Sequence, residues 1–501
     1  MAADVVIVGA GSAGNVLAAR LTEDADREVV LLEAGPDYRT VADLPPEILS
    51  GLRPVYTHDW GYRADTALDG RVLDANRARI VGGCSATNAA LAVRGRPADY
   101  DGWAALGCDG WSFTEVLPFF RRLERDLDFD DDWHGRDGPV PIRRAAPDEV
   151  APVHDAFVAA CANAGFATVD DLNAPGAVGA SRPPMHLVDG VRQSTALTYL
   201  AAARDRRNLT VRSDSLVDGV ELDGDRATGV RLAPSGDLIE ADHVVLASGA
   251  YGSPALLMRS GIGPAAHLQS VGVDVVLDRS GVGANLTEHP LMPNVFVART
   301  PPRADRAVFQ AMLTAASSSA GGVYDLHVFP LFNPPEIQGD PPVVVILTSV
   351  MTPRSRGTVQ LRSSDPRDAP RIDLGLFSDP GDMPRMIDAI RVARRLAATE
   401  PLRGLLGDEL MPGIDASDDE ALAAAVRAGC EIYHHPVGTC RMGTPDDPDA
   451  VVDSRGAVHG MHGLSVIDAS IMPSIPAANT NVPTIMIAER CAAWLRGEEG
   501  P

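Results

Sequence analysis

Gly9, Gly11 and Gly14 stand at the spacing G-x-G-x-x-G directly behind the apolar run Asp4–Val8. In that pattern the first glycine turns the chain tightly, the second lets backbone approach a pyrophosphate, and the third allows a helix to pack closely on a strand. Ser12 and Ala13 fall where the helix begins, so their region supplies oriented N–H groups and a partial positive charge for phosphate oxygens. Glu33 lies about 20 residues further on, followed by Ala34, at a strand end where a carboxylate accepts both hydroxyls of a ribose. The acid also disfavours a 2′-phosphate. Together these residues specify a dinucleotide, with NAD and FAD both open on this fingerprint alone.

The elements that must position this loop are legible around it. Asp4–Val8, the small and apolar residues Ser12–Leu21, and Glu28–Leu32 make a complete βαβ unit. Leu216–Leu222 and Ala227–Leu232 read as a hairpin around Asp223–Arg226, and His243–Ala247 as a further buried strand. Residues 300–345 mix proline-rich pieces with the small-residue stretch Ala311–Gly322, and suggest an irregular lid or loop in a second domain. Val343–Val350 and Gly357–Arg362 are predicted strands, and Asp382–Ala397 an amphipathic helix. The acidic cluster Asp126–Asp132 is most simply a solvated loop, with no metal site.

The whole chain bounds the chemistry further. Its 501 residues suit two domains sharing a large interface. The formal net charge is −24 and the sequence contains no lysine. Such an acidic surface repels phosphate backbones and anionic lipid, arguing against nucleic acid and membrane-surface partners. Schiff-base and pyridoxal-phosphate chemistry need a lysine and are excluded. The six cysteines form no CxxC pair, which gives a zinc site or disulfide framework no support. No run reaches the roughly 18 apolar residues of a membrane span, and no leader is expected ahead of the first strand. A soluble, cytoplasmic protein is expected.

Longer blocks narrow the dinucleotide. Leu31–Pro36 and Arg79–Asn88, the latter containing Gly82-Gly83-Cys84-Ser85, stand in the first hundred residues. Gly249–Gly263, Gly281–Pro290, His434–Gly443, Val466–Ser470 and Asn479–Thr484 follow in order. This set resembles the glucose–methanol–choline (GMC) oxidoreductases over nearly the whole chain, with departures at Cys84 and Thr87. The resemblance implies an α/β fold: a discontinuous, Rossmann-like FAD-binding domain from residues 1–150, 186–290 and 431–501. A substrate-binding α+β domain on an antiparallel sheet would come from 151–185 and 291–430.

The same resemblance implies the site. Gly82 and Gly83 would lay their amides against the diphosphate and isoalloxazine, Asn88, Ala89, Ala90 and Leu91 would border the flavin, and Val217 would meet the adenine. Asp468 and Ala469 would lie at the flavin edge, beside a helix N-terminus begun near Pro483 and Thr484, whose partial charge suits reduced flavin. His435 matches the family's catalytic histidine, and imidazole suits proton transfer near neutral pH. The second catalytic position falls on Asn481, whose amide can hydrogen-bond the substrate oxygen but cannot act as base. His434 is kept apart from this role. The activity implied is oxidation of an alcohol, a primary one by default, with hydride passing to flavin N5 and electrons onward to oxygen, a quinone or a carrier protein. A non-redox FAD-containing lyase and a flavin photodecarboxylase share the scaffold as alternatives. Thr87 stands where some members carry a flavin-linking histidine, so the FAD is expected to be non-covalent. Aromatics make up only 5% of the chain, and no cage for a quaternary ammonium is evident.

Overall fold

The computed structural model describes residues 3–299, 306–332 and 341–500. Its first sheet grows from Ala3–Val8, a strand buried along its length except at Asp4, as a strand covered on both faces must be. Val29–Leu32 lies parallel on one side with Leu209–Arg212 beyond it. Leu238–Leu246 lies parallel on the other side, with Val5 level with His243. The far edge of Leu238–Leu246 is shared. Leu464–Val466 pairs parallel with its end, and the antiparallel hairpin Leu216–Asp223 and Arg226–Ala233 pairs with its start.

The helix Ser12–Leu21 links the first two strands, and the C-terminal helix Asn481–Leu495 packs against it. Between them, Arg20 pairs at 2.8 Å with the fully buried Glu489, which also accepts a 2.5 Å hydrogen bond from the Tyr199 hydroxyl. The expected βαβ unit and hairpin are therefore present.

The second sheet is antiparallel throughout. Its order is Leu406–Met411, Pro290–Ala298, Val343–Val350, Leu326–Phe332, Met312–Ala315 and Ala180–Ser181, with Glu431–Ile432 against the start of Pro290–Ala298. Every residue of Val343–Val350 is buried. Val344, Ile346 and Val350 pack beneath the helix Asp382–Ala397. Val343, Val345 and Leu347 face the other way, toward Leu91, Val93 and Ala478. The sheet thus separates a structural core from the face turned to the dinucleotide domain.

Two expectations need correction. Within 300–345, Met312–Ala315 and Leu326–Phe332 are strands of this sheet and not an irregular lid; residues 300–305 and 333–340 lie outside the described set. Leu313 and Val328 serve one core while Met312 and Phe329 serve the other. Strands apolar on both faces lose the alternation that would reveal them. The strand expected at Gly357–Arg362 shortens to Thr358–Gln360. It lies beside Arg371–Asp373, which pairs in turn with the hairpin Arg63–Leu68 and Arg71–Asp74. Among the described residues no helix is long and apolar enough to cross a membrane.

Candidate active site

The glycine loop is shaped by contacts that side chains would block. Gly9 sits at φ +105°, and a β-carbon on Gly14 would overlap the Gly9 carbonyl oxygen. With glycine there, the helix starts hard against the strand. No side chain caps the N-terminus of Ser12–Leu21, so the first-turn N–H groups around Ser12 and Ala13 remain for a ligand. Glu33 closes the next strand. Its Oε2 accepts from Ala10 N–H and its Oε1 from Gly35 N–H, each at 3.0 Å. Burial pushes its carboxyl up to about 7, against the opposing pull of these N–H groups and of Arg79. The Ala34 carbonyl is held by Arg79 Nε at 3.1 Å. Ser215 N–H donates to the Glu33 carbonyl at 2.8 Å, which brings the strand carrying the buried Val217 beside this corner.

The second glycine turn is built directly onto the first. Gly82 N–H donates to the Ala10 carbonyl at 2.8 Å, and a β-carbon on Gly83, at φ +51°, would stand 2.5 Å from Gly11 Cα. Further along, Asn88 Oδ1 accepts from Ala90 N–H at 2.8 Å and so supports Ala90 at φ +59°. The strip through Ala89 continues into Ala90 and Leu91, both buried against the second sheet. Thr87 is also buried, its carbonyl accepting from Val55 N–H at 2.9 Å.

Asn481 opens the C-terminal helix as Ser12 opens the first, and the two are joined: Ser12 Oγ donates to Asn481 Oδ1 at 2.7 Å. Asn481 Nδ2 reaches His186 Nε2 at 3.4 Å. Pro483 occupies the first turn, and Thr484 Oγ1 donates to the Thr480 carbonyl at 2.7 Å. No side chain caps this helix either. Two uncapped N-termini therefore lie side by side, first residue to first residue. The Asp468 carboxylate is committed elsewhere: it accepts from Gly249 N–H, Ser253 Oγ and Ser470 N–H at 2.6–2.8 Å, and so caps the helix Gly249–Arg259. Ala469 contributes its carbonyl to Gly438 N–H.

His435 is fixed by a relay that also decides its tautomer. His289 Nε2 lies 3.0 Å from the Met351 carbonyl, which can only accept, so His289 carries its proton on Nε2. Its Nδ1 must then accept, and the atom 3.0 Å away is His435 Nδ1. His435 consequently donates from Nδ1 and leaves Nε2 with a free lone pair. Burial holds His435 well below the usual imidazole range, and His289, Arg77, His434 and His327 around it act in the same direction. The amide nearest that lone pair belongs to Asn479, whose Nδ2 is 3.2 Å from His435 Nε2.

This corrects the pairing read from the sequence: Asn479, and not Asn481, shares the His435 site. The motif Asn479-Thr480-Asn481 offers two identical amides. The choice depends on where the helix begins, which the residues alone leave open. His289 and Glu288 stood in the block Gly281–Pro290 without an assigned role. Glu288 is buried, and its Oε1 accepts from both His289 N–H, at 2.9 Å, and His435 N–H, at 2.7 Å. His434 lies at φ +63° with its ring toward Tyr56.

Aromatic rings line up beside His435 despite their scarcity in the composition. Tyr433 stands 4.2 Å from His435, Phe329 5.3 Å from Tyr433, and Phe309 5.6 Å from Phe329, between ring centroids. Average composition gave no sign of this local row, which brings Tyr433 against His435 while Phe329 lies in the core. In the acidic cluster Asp128, Asp130, Asp131 and Asp132 are exposed, as a solvated loop requires, and Asp126 alone departs from that reading. Asp126 is buried and bound by Arg144, while Asp171 shares the same guanidinium at 2.6 Å. Glu124 is bound by Arg94, and the buried His134 has its Nε2 3.2 Å from Asp171. These carboxylates are already matched by arginines.

A buried carboxylate at a strand end, two uncapped helix N-termini and two interlocked glycine turns are the features that suit the phosphates and ribose of a dinucleotide. Comparison with known proteins agrees. The N-terminal and C-terminal family models described as GMC oxidoreductase match residues 3–291 and 353–488. A Rhodococcus erythropolis protein described as an uncharacterized GMC-type oxidoreductase is 36% identical, with 99% of each chain covered. An oxygen-dependent choline dehydrogenase of Pseudomonas fluorescens is 38% identical over 99% of this chain and 94% of its own. Among solved structures, pyridoxine 4-oxidase from Mesorbium loti superimposes with a TM-score of 0.93 at 32% identity, covering 99% of both chains.

Proposed function

The chain belongs to the GMC oxidoreductase family, and from that premise we propose that it binds FAD non-covalently and oxidises a primary alcohol to the carbonyl compound. The flavin supplies the hydride acceptor, at N5. The protein supplies position and proton handling. His435 takes the hydroxyl proton on Nε2, the nitrogen that the His289–Met351 relay leaves bare. Burial and the surrounding cationic or polar groups hold that imidazole unprotonated, so its lone pair is available at neutral pH. Asn479 donates from Nδ2 to the same substrate oxygen as negative charge develops there. An amide nitrogen has no basic lone pair to take a proton, which leaves the base role to His435. Asn481 belongs with the cofactor, tying the two helix N-termini together through Ser12.

The observation that carries this reading is the unprotonated Nε2 of His435 facing the Asn479 Nδ2 donor at 3.2 Å, an acceptor and a donor that meet at one point. Tyr433 lies against His435, with Phe329 stacked behind it, so aromatic and cationic alcohols are tested beside an aliphatic one. An anaerobic panel of butanol, benzyl alcohol, choline and pyridoxine tests both points. At least one alcohol is expected to bleach the flavin, and reoxidation by oxygen or by a quinone then identifies the acceptor class. A substrate turned over with the flavin still oxidised throughout would replace oxidation by the lyase alternative.

A further inference from the structure

We infer that Arg77 and Glu288 act as a clamp on the peptide between His434 and His435, positioning the His435 ring toward substrate; this rests on the reading of His435 as the base. The carbonyl of His434 and the N–H of His435 belong to one planar unit. Arg77 Nη2 donates to that carbonyl at 2.9 Å. Glu288 Oε1 accepts from that N–H at 2.7 Å. Anchoring both ends of a rigid plane fixes its rotation, and with it the direction in which the His435 side chain leaves the backbone.

Two features show that the anchoring is needed. His434 occupies the left-handed region at φ +63°, where a β-carbon is disfavoured and surrounding contacts must hold the residue. Glu288 is fully enclosed, and burial pushes its carboxyl up to about 8, against the pull of Arg77 and the two N–H groups. A buried polar group is costly unless it is hydrogen-bonded, and Glu288 Oε1 meets that need through backbone N–H groups. Here one oxygen serves two amides: Oε1 also accepts from His289 N–H at 2.9 Å. The backbones of both histidines are therefore tied to a single atom, which sets the 3.0 Å contact between their Nδ1 atoms and so the tautomer of the base. Arg77 carries the same restraint to the cofactor side. The next residue, Ala78, donates its N–H to Cys84 Sγ at 3.5 Å, within the turn that begins at Gly82-Gly83.

The test compares Glu288→Ala, Glu288→Gln and His435→Ala, each loaded with FAD, by stopped-flow flavin reduction with a bleaching alcohol. A base displaced by about an ångström loses about 100-fold in rate, so Glu288→Ala is expected to lower the limiting reduction rate by about that factor while the apparent Kd for alcohol stays near the parental value. Glu288→Gln keeps an oxygen able to accept both N–H groups, and is expected to recover most of the loss. Should Glu288→Ala fail to retain FAD, Arg77→Lys loosens the same peptide from its carbonyl end and is expected to show the same split of rate from Kd. Parental reduction by Glu288→Ala or by Arg77→Lys, or a Glu288→Gln rate as low as that of Glu288→Ala, overturns the clamp. His435→Ala separates the two ideas, because a parental rate there sinks the base assignment itself.

Discussion

Asn479 and Asn481 carry the same side chain two positions apart and meet different partners. Asn479 reaches the lone pair of His435, whereas Asn481 is spent on Ser12 and His186. Asn479→Ala is therefore expected to slow anaerobic flavin reduction by about 10²–10³, the usual effect of losing one donor to developing oxyanion charge. Asn481→Ala should show its loss in FAD affinity, measured by fluorescence titration, and not in the reduction rate of loaded protein. The reverse pattern would restore the pairing read from the sequence. Local spacing made the strand–turn–helix arrangement legible there: Gly9 and Gly11 lie between Ala3–Val8 and Ser12–Leu21, Gly14 in the first turn of that helix, and Glu33 directly after Val29–Leu32. The partners of His435 were not legible. His289 is 146 positions from it and Met351 lies 62 further from His289, and only folding brings such groups into hydrogen-bond range.

At the level of elements, the site depends on how closely two glycine turns approach. The Gly83 Cα faces Gly11, and any β-carbon on Gly83 would press on that backbone at 2.5 Å while also meeting a positive φ. Overpacking of this kind costs about 1–3 kcal/mol. Since the strain falls on the cofactor cradle, Gly83→Ala is expected to weaken FAD binding by about 10- to 100-fold, with little change in the far-UV spectrum. Unchanged affinity would mean that the turns do not hold the diphosphate. The helices Ser12–Leu21 and Asp382–Ala397 and the parallel strands Ala3–Val8, Val29–Leu32 and Leu238–Leu246 were visible from their apolar patterns. The strands Met312–Ala315 and Leu326–Phe332 were hidden because each is buried on both faces, so alternation, the ordinary sign of a strand, is missing where the sheet does most to enclose the site.

For the whole molecule, cofactor and fold should be coupled without being covalently joined. Thr87 has no ring nitrogen for a flavin linkage, and its surroundings hold it as a buried turn residue. Acid precipitation is expected to leave yellow flavin in the supernatant, and the apoprotein to melt below the loaded form because FAD binds only the native state. Flavin retained in the pellet would require another attachment point. The central claim is that alcohol oxidation here runs through proton removal by His435. Its most direct measurement is the anaerobic rate of flavin bleaching by an active alcohol in FAD-loaded His435→Ala against the parent. Loss of a general base is expected to slow bleaching by about 10²–10⁴, with partial recovery as pH rises and hydroxide replaces the imidazole. Bleaching at the parental rate, with no change in its pH dependence, would contradict the account.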